Sequence, residues 1–208
     1  MIVSETLSTN KMEANHHWLE KFIYDCDLAL KPVYIDPKQY LFTGPSSNRI
    51  SRKCVLCNPL AIFIKYGTIH DRAVFRGDLG KIKVGQFCTF HEGCCIRPPA
   101  KALGGGVKFV QLKIGNNVVI GENTLVEAAI IGKNVFIGKN CVIGKCCQIK
   151  DCCIILDNTV IPPETVVAPF SLYGGVPGRL LCELPESIPQ LLEQRAVNEH
   201  KAVRTKKK

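Results

Sequence analysis

The sequence predicts an all-β solenoid: a left-handed parallel β-helix built from hexapeptide repeats, with helical extensions at its N- and C-terminal ends. Three observations carry this reading. The first is an aliphatic beat at Ile131, Ile137, Ile143, Ile149, Ile155, Ile161 and Val167, closed by Tyr173, which also runs through Ile114, Ile120 and Val126 and through Val84, Phe90 and Ile96. A spacing of six residues fits neither an amphipathic helix nor simple strand alternation; it is the spacing of a β-helix in which each hexapeptide supplies one short strand and one corner. The second is glycine directly after the aliphatic residue, at Gly85, Gly115, Gly121, Gly132, Gly138 and Gly144, where a cramped corner is expected, with Asn117, Asn123, Asn134 and Asn140 suited to a left-handed backbone. The third is a small or β-branched residue four places after each aliphatic one: Cys88, Cys94, Val118, Thr124, Val135, Cys141, Cys147, Cys153, Thr159, Thr165 and Ser171. Such residues fill the remaining space inside a narrow prism, and cysteine there acts as a compact hydrophobe with a weak donor.

Residues 1–49 are read as an N-terminal helical extension and linker. The stretch "NHHWLEKFIYDCDLAL" sets Trp18, Leu19, Phe22, Ile23 and Cys26 along one side at helical spacing, to cap the first coil or to dock on a partner. The following "KPVYIDPKQYLFTGPSSNR", punctuated by proline and glycine, reads as an extended linker.

Residues 50–181 form the predicted β-helix. Its phase slips by one residue between Val126 and Ile131 and is interrupted by "RPPAKALGGGVKFVQLK". That glycine-rich insertion is a place where a binding loop could sit, although it lacks the Lys-Ser/Thr ending of a phosphate-binding P-loop. Lys133, Lys139 and Lys145 fall on exposed corners and read as a solvated face. Residues 182–208 are read as a C-terminal capping helix and a basic tail. "LPESIPQLLEQRAVNEHKAV" has a Pro-Glu-Ser start and helix-forming residues, and a solenoid has two open ends that need covering.

Composition bounds the rest. The 208 residues and 46% hydrophobic content suit one main domain. No run of about 18 uncharged apolar residues occurs, and the N-terminus lacks the layout of a secretory signal, so the expectation is a soluble intracellular chain without membrane insertion. In that reducing setting the twelve cysteines are expected to be free thiols. The net charge of +9 owes much to the tail "HKAVRTKKK" and is not laid out as basic runs interleaved with aromatics, which argues against a nucleic-acid partner.

The candidate chemistry is sparse. "CVLC", Cys54 to Cys57, has the spacing of a zinc knuckle or redox pair but no second pair, and the adjacent doublets Cys94–Cys95, Cys146–Cys147 and Cys152–Cys153 point alternately in and out, which is poor for chelation. His70 and His91 are the histidines within the predicted solenoid, and no acid–base partner is apparent by spacing. An acyltransferase, in which a histidine acts as general base between coils, is the competing enzymatic reading, and the missing partner argues against it.

The repeat, with "AVFRGDLGKIKVGQFCTFHEGCCIR" and "LKIGNNVVIGENTLVEAAIIGKNVFIGKNCVIG", resembles the γ-class carbonic anhydrase superfamily of hexapeptide-repeat proteins. Within it, "FRGDLGKIKVG", "IRPP", "CVIGKCCQIKDCCIILDNTVIPPETVVAPF" and the Gly-x-Pro-Gly at Gly175 to Gly178 resemble the dynactin subunit 5 family of the dynactin pointed-end complex. The superfamily's enzymes hold zinc with three histidines at a subunit interface. Matching their motifs places Arg97, Glu122 and Glu127 at the three ligand positions, and Thr89 and His91 at the polar pair before the first ligand. A permanently charged guanidinium cannot ligate a cation, so no catalytic residue, metal or other cofactor is expected. Arg76 and Asp78 keep an Arg-Gly-Asp segment that lies near a subunit contact in the trimeric enzymes. They are the candidate partner-binding residues, or alternatively an internal brace for a coil turn. The resemblance implies a non-enzymatic structural and adaptor-type subunit of the cytoplasm and cytoskeleton. Its implied partners are dynactin subunit 6, actin-related protein 11 and dynactin subunit 4, with dynein and cargo adaptors reached indirectly.

Overall fold

The computed structural model describes residues 33–36, 38–44, 47–103 and 106–205. The helix expected around Trp18, Leu19, Phe22, Ile23 and Cys26 lies outside the described residues, as does the end of the basic tail.

The hexapeptide beat becomes a parallel β-helix of about six turns with three sheet faces. Face one stacks Asn48–Ser51, Thr68–Ile69, Thr89–Phe90, Val118–Ile120, Val135–Ile137, Ile154–Ile155 and Ser171–Gly174. Face two stacks Val55–Cys57, Val74–Arg76, Cys95–Ile96, Leu125–Val126, Val142–Ile143 and Val160–Ile161. Face three stacks Ile62–Lys65, Ile82–Gln86, Leu112–Ile114, Ile130–Ile131, Gln148–Ile149 and Val166–Val167.

The interior follows the predicted positions. The aliphatic ladder from Ile114 to Val167 is buried, and Cys88, Cys94, Val118, Thr124, Val135, Cys141, Cys147, Cys153, Thr159 and Ser171 are buried beside it; Thr165 alone of that set is partly open. The sulfurs make a regular pattern of bonds to the next coil. Cys141 Sγ donates to Leu156 O at 3.0 Å, Cys147 Sγ to Pro162 O at 2.9 Å and Cys153 Sγ to Ala168 O at 3.0 Å, as Thr124 Oγ1 does to Gly138 O at 2.8 Å. A thiol is thus as serviceable as a hydroxyl at this position and easier to desolvate.

The corner residue three places after the aliphatic one is left-handed at Phe87, Gly93, Asn117, Asn123, Asn134, Asn140 and Asn158, and also at Cys146, Cys152, Glu164 and Phe170; the shortened corner after Val126 and the insertion after Ile96 depart from this. The glycines after the aliphatic residue have a different role from that of the asparagines. A Cβ on Gly121 would lie 2.5 Å from the Gly138 carbonyl carbon, so the coil-to-coil spacing excludes a side chain there.

The phase slip and the insertion have simple geometric counterparts. Ile120 pairs with Ile137, one residue short of the full turn that separates Ile131 from Ile149. The deficit falls in the corner between Val126 and Ile131, which spares both ladders. The insertion leaves the solenoid as an antiparallel hairpin, Ala100–Leu103 with Gly106–Phe109, while Ile96 still pairs with Val126 above it.

Two expectations for the flanks need correction. The segment read as a linker contains a strand, Val33–Ile35, and a hairpin, Tyr40–Thr43 with Asn48–Ser51, which extends face one at its first edge. Alternation within Tyr40–Thr43 is too short to register against the prolines around it. The C-terminal helix α1, Ile188–Ala202, covers the side of the prism rather than an open end. Ile188 and Leu192 pack with Leu184 on Cys152, Ile154 and Leu172 of face one, and Val203–Thr205 beyond the helix pairs in parallel with Val33–Ile35. The last edge of face one is met instead by a hairpin, Ser171–Gly174 with Arg179–Glu183.

Candidate functional site

The positions matched to zinc ligands are distributed over separate corners. Glu122 follows a face-one strand and takes Lys139 Nζ at 3.1 Å; Glu127 follows a face-two strand and pairs with Arg97 Nε at 3.0 Å. Arginine therefore meets one of the two carboxylates, not both. A guanidinium–carboxylate pair supplies neither a neutral donor nor an open coordination position, so this donor set does not fit zinc. No group of three His, Cys, Asp or Glu side chains suited to a metal occurs among the described residues. Cys54 and Cys57 are half-buried and free.

Arg76 and Asp78 meet each other across their corner, with Arg76 Nη2 2.8 Å from Asp78 Oδ2 and a second bond from Nε. Both are about 40% exposed, so the pair braces the turn and remains accessible.

The histidines form the most connected polar cluster. His70 and His91 occupy equivalent corners of successive coils and stack with ring centroids 5.3 Å apart and planes 2° from parallel. Tyr40 Oη lies 3.4 Å from His70 Nδ1. His91 Nε2 lies 3.3 Å from the buried Glu199 Oε2 of α1, and Arg195, one helical turn earlier, bonds the other oxygen at 3.2 Å. Next on the helix, His200 Nδ1 meets Thr68 Oγ1 at 3.2 Å, its ring meets Phe87 edge-on, and its carbonyl accepts from Arg49 Nη1. Glu199 is the partner that sequence spacing could not supply, because it arrives from a helix 108 residues away.

Burial, and for His70 the neighbouring His91, push the His70 imidazole down to about 4. Burial and the Arg49 charge do the same for His200, also to about 4. For Glu199, burial pushes upward but His91 and Arg195 outweigh it, and the carboxyl ends below its ordinary range. Burial raises the interior thiols, Cys88 to about 12 and Cys153 to about 11. They stay protonated, which makes them donors and poor nucleophiles.

A cleft of about 460 Å³ runs along these corners, lined by Tyr40, His70, Asp71, His91, Glu92 and Glu122 among others. Its carboxylates are largely committed: Asp71 to Lys53, Glu92 to Arg72 and Glu122 to Lys139. With His91 Nε2 turned to a buried carboxylate, the cluster is built to fasten α1 to the prism.

The outward surface of face two is the other unusual feature. Its in-register ladder is apolar from end to end: Val55, Val74, Cys95, Leu125, Val142 and Val160. No described segment covers it, Val55 and Val142 are exposed, and the Arg76–Asp78 and Arg97–Glu127 pairs border it. Coils about 4.8 Å apart make this a flat strip about 24 Å long.

A parallel β-helix with a recurring hexapeptide beat, a lateral helix and, among the described residues, no convergent donor set defines a hexapeptide-repeat solenoid protein. Solved structures agree on the fold. A hexapeptide transferase family protein from Anaplasma phagocytophilum superposes with a TM-score of 0.56 over 78% of this chain and 94% of that one, at 19% identity. A mutant of perosamine N-acetyltransferase from Caulobacter crescentus, in complex with CoA and GDP-perosamine, gives 0.50 over 64% of this chain and 55% of that one, at 12% identity. At such identities the likeness is one of fold alone. The family is narrower: the model of the dynactin subunit 5 family matches residues 30–201, and the chain belongs to that family. Dynactin subunit 5 of Dictyostelium discoideum is 39% identical over 94 residues, 45% of this chain and 47% of the relative, so the match spans about half of each.

Proposed function

We propose that this chain is a non-enzymatic structural and adaptor-type subunit of the dynactin pointed-end complex, acting in the cytoplasm and on the cytoskeleton to support dynein-based transport and cargo attachment. The observation that carries this reading is the uncovered apolar ladder of face two. An outward strip of valine, leucine and cysteine with charged pairs along its border has the layout of a protein–protein interface, a desolvated centre inside a polar rim. The proposed partners are dynactin subunit 6, actin-related protein 11 and dynactin subunit 4, with dynein and cargo adaptors engaged through the assembled complex. Arg76 and Asp78 are proposed as rim residues of that contact.

The test is a pull-down of tagged chain from cell extract, with and without Val142→Asp. Recovery of an actin-related protein and a second β-helix subunit, lost in Val142→Asp while the melting curve is kept, supports the reading. A homotrimer with no such partners and stoichiometric zinc would overturn it in favour of the enzyme lineage.

A further inference from the structure

We propose that face three and the hairpin beside it form a docking surface for an acidic polypeptide segment that also carries apolar side chains. The inference rests on the reading of the chain as a binding scaffold and names the chemistry of one of its partners. The outward ladder of face three runs Phe63, Lys83, Lys113, Ile130, Gln148, Val166 in continuous register. Lys83 and Lys113 are therefore adjacent rungs, about 4.8 Å apart along the stack. In the hairpin, Lys101 and Lys108 are again directly opposed. All four are exposed, and among the described residues no carboxylate forms an ion pair with any of them.

Like charges placed directly opposite one another oppose folding. Elsewhere this molecule avoids such placements by pairing: Lys53 with Asp71, Arg72 with Glu92, Lys139 with Glu122. Two uncompensated lysine pairs sit on neighbouring segments, since the hairpin leads into the strand that carries Lys113 and Phe109 lies against Gly80 beside Lys81. An anionic occupant relieves both repulsions at once. The same surface presents Phe63, Ile130 and Val166 at 52%, 42% and 54% exposure, with Val107 and Phe109 on the hairpin. Apolar residues alternating with lysines on a flat strip match a segment with the opposite charges and the same apolar spacing. A lipid surface is a poorer fit, because half-buried side chains on a flat sheet do not project the several ångströms needed to enter the acyl region.

The test uses the full chain and three probes: a fluorescent peptide of alternating Glu and Leu, poly-Glu, and phosphatidylserine vesicles. The Glu-Leu peptide should bind more tightly than poly-Glu, with an affinity that falls as salt rises. The double variant Lys83→Glu/Lys113→Glu should weaken it by about tenfold, whereas Lys133→Glu/Lys145→Glu, the same charge change on other corners, should alter it by less than about twofold. The single variant Lys113→Glu separates binding from folding: it should raise the melting temperature, by replacing a repulsive rung with an attractive one, while lowering affinity. Equal losses in the two double variants, vesicle capture tighter than peptide binding, or a lower melting temperature in Lys113→Glu would overturn the proposal. Loss of peptide binding with intact co-purification of partners separates this surface from the scaffold reading as a whole.

Discussion

Glu199 of α1 and His91 of the prism meet at 3.3 Å although 108 residues separate them, and Arg195 holds the carboxylate from the other side. The helix is thereby fastened to the coils by a polar contact through the buried Glu199 as well as by Ile188 and Leu192. Removing the carboxylate should leave His91 and Arg195 without their shared acceptor. Glu199→Ala is expected to cost about 1–3 kcal/mol and to speed amide exchange within α1, with little change in the coils. Uniform exchange rates across the variant would show that the helix is not held this way.

The histidines set a pH dependence. His70 and His200 are held at about 4 in the folded chain against an ordinary value of 6.5, so the unfolded state binds more protons between those limits. Their contribution is fully present above about pH 6.5 and is lost as pH falls towards 4; Glu199, with its lowered value, loses its own contribution in the same direction as the medium becomes more acid. Each histidine accounts for at most about 3 kcal/mol. Melting temperature should fall between pH 6.5 and 4, and His200→Gln should flatten that slope.

Cys146 and Cys152 share the left-handed corner conformation, φ 59° and 58°, that asparagine occupies in neighbouring coils. Cys146 is only partly buried, whereas Cys152 is sealed beneath Ile188, Leu192 and Leu184. Cys146→Asn should therefore change stability by no more than about 0.5 kcal/mol. Cys152→Asn puts a carboxamide under the helix and should cost about 1–3 kcal/mol. Urea midpoints of the two variants make the comparison directly.

Gly121 and Gly106 give a matched pair for the backbone. A methyl group on Gly121 meets the Gly138 carbonyl carbon at 2.5 Å, while at Gly106 nothing lies within 4 Å. Gly121→Ala is expected to lose roughly 1–3 kcal/mol by forcing two coils apart. Gly106→Ala, in the protruding hairpin, should unfold at the parent temperature.

The solenoid was legible because its pattern is local: every six residues the same corner recurs, so Ile131 or Cys147 declares its inward place without reference to the rest of the chain. The same locality explains what could not be read. Sulfur at Cys152 has no cause within its own hexapeptide; the cause is α1, which lies over that corner. Glu199 is one acid in an ordinary helical stretch until the fold sets it beside His91. Arg97, Glu122 and Glu127 were legible as replacements of a ligand set, but only the fold shows that Arg97 meets Glu127 while Glu122 serves Lys139, because residues five apart fall on different corners of a triangular prism.

The sequence by itself determined the coil: its period, its inward residues, its left-handed corners and the residue types that replace a zinc ligand set. Tertiary structure decided what lies on the outside of the prism, namely α1 along face one, the bare apolar ladder of face two and the lysine pairs of face three. The physical reason is that inward positions are dictated by neighbours within one turn, while an outward residue gains its meaning only from rungs a full turn away or from a segment that returns across the whole chain.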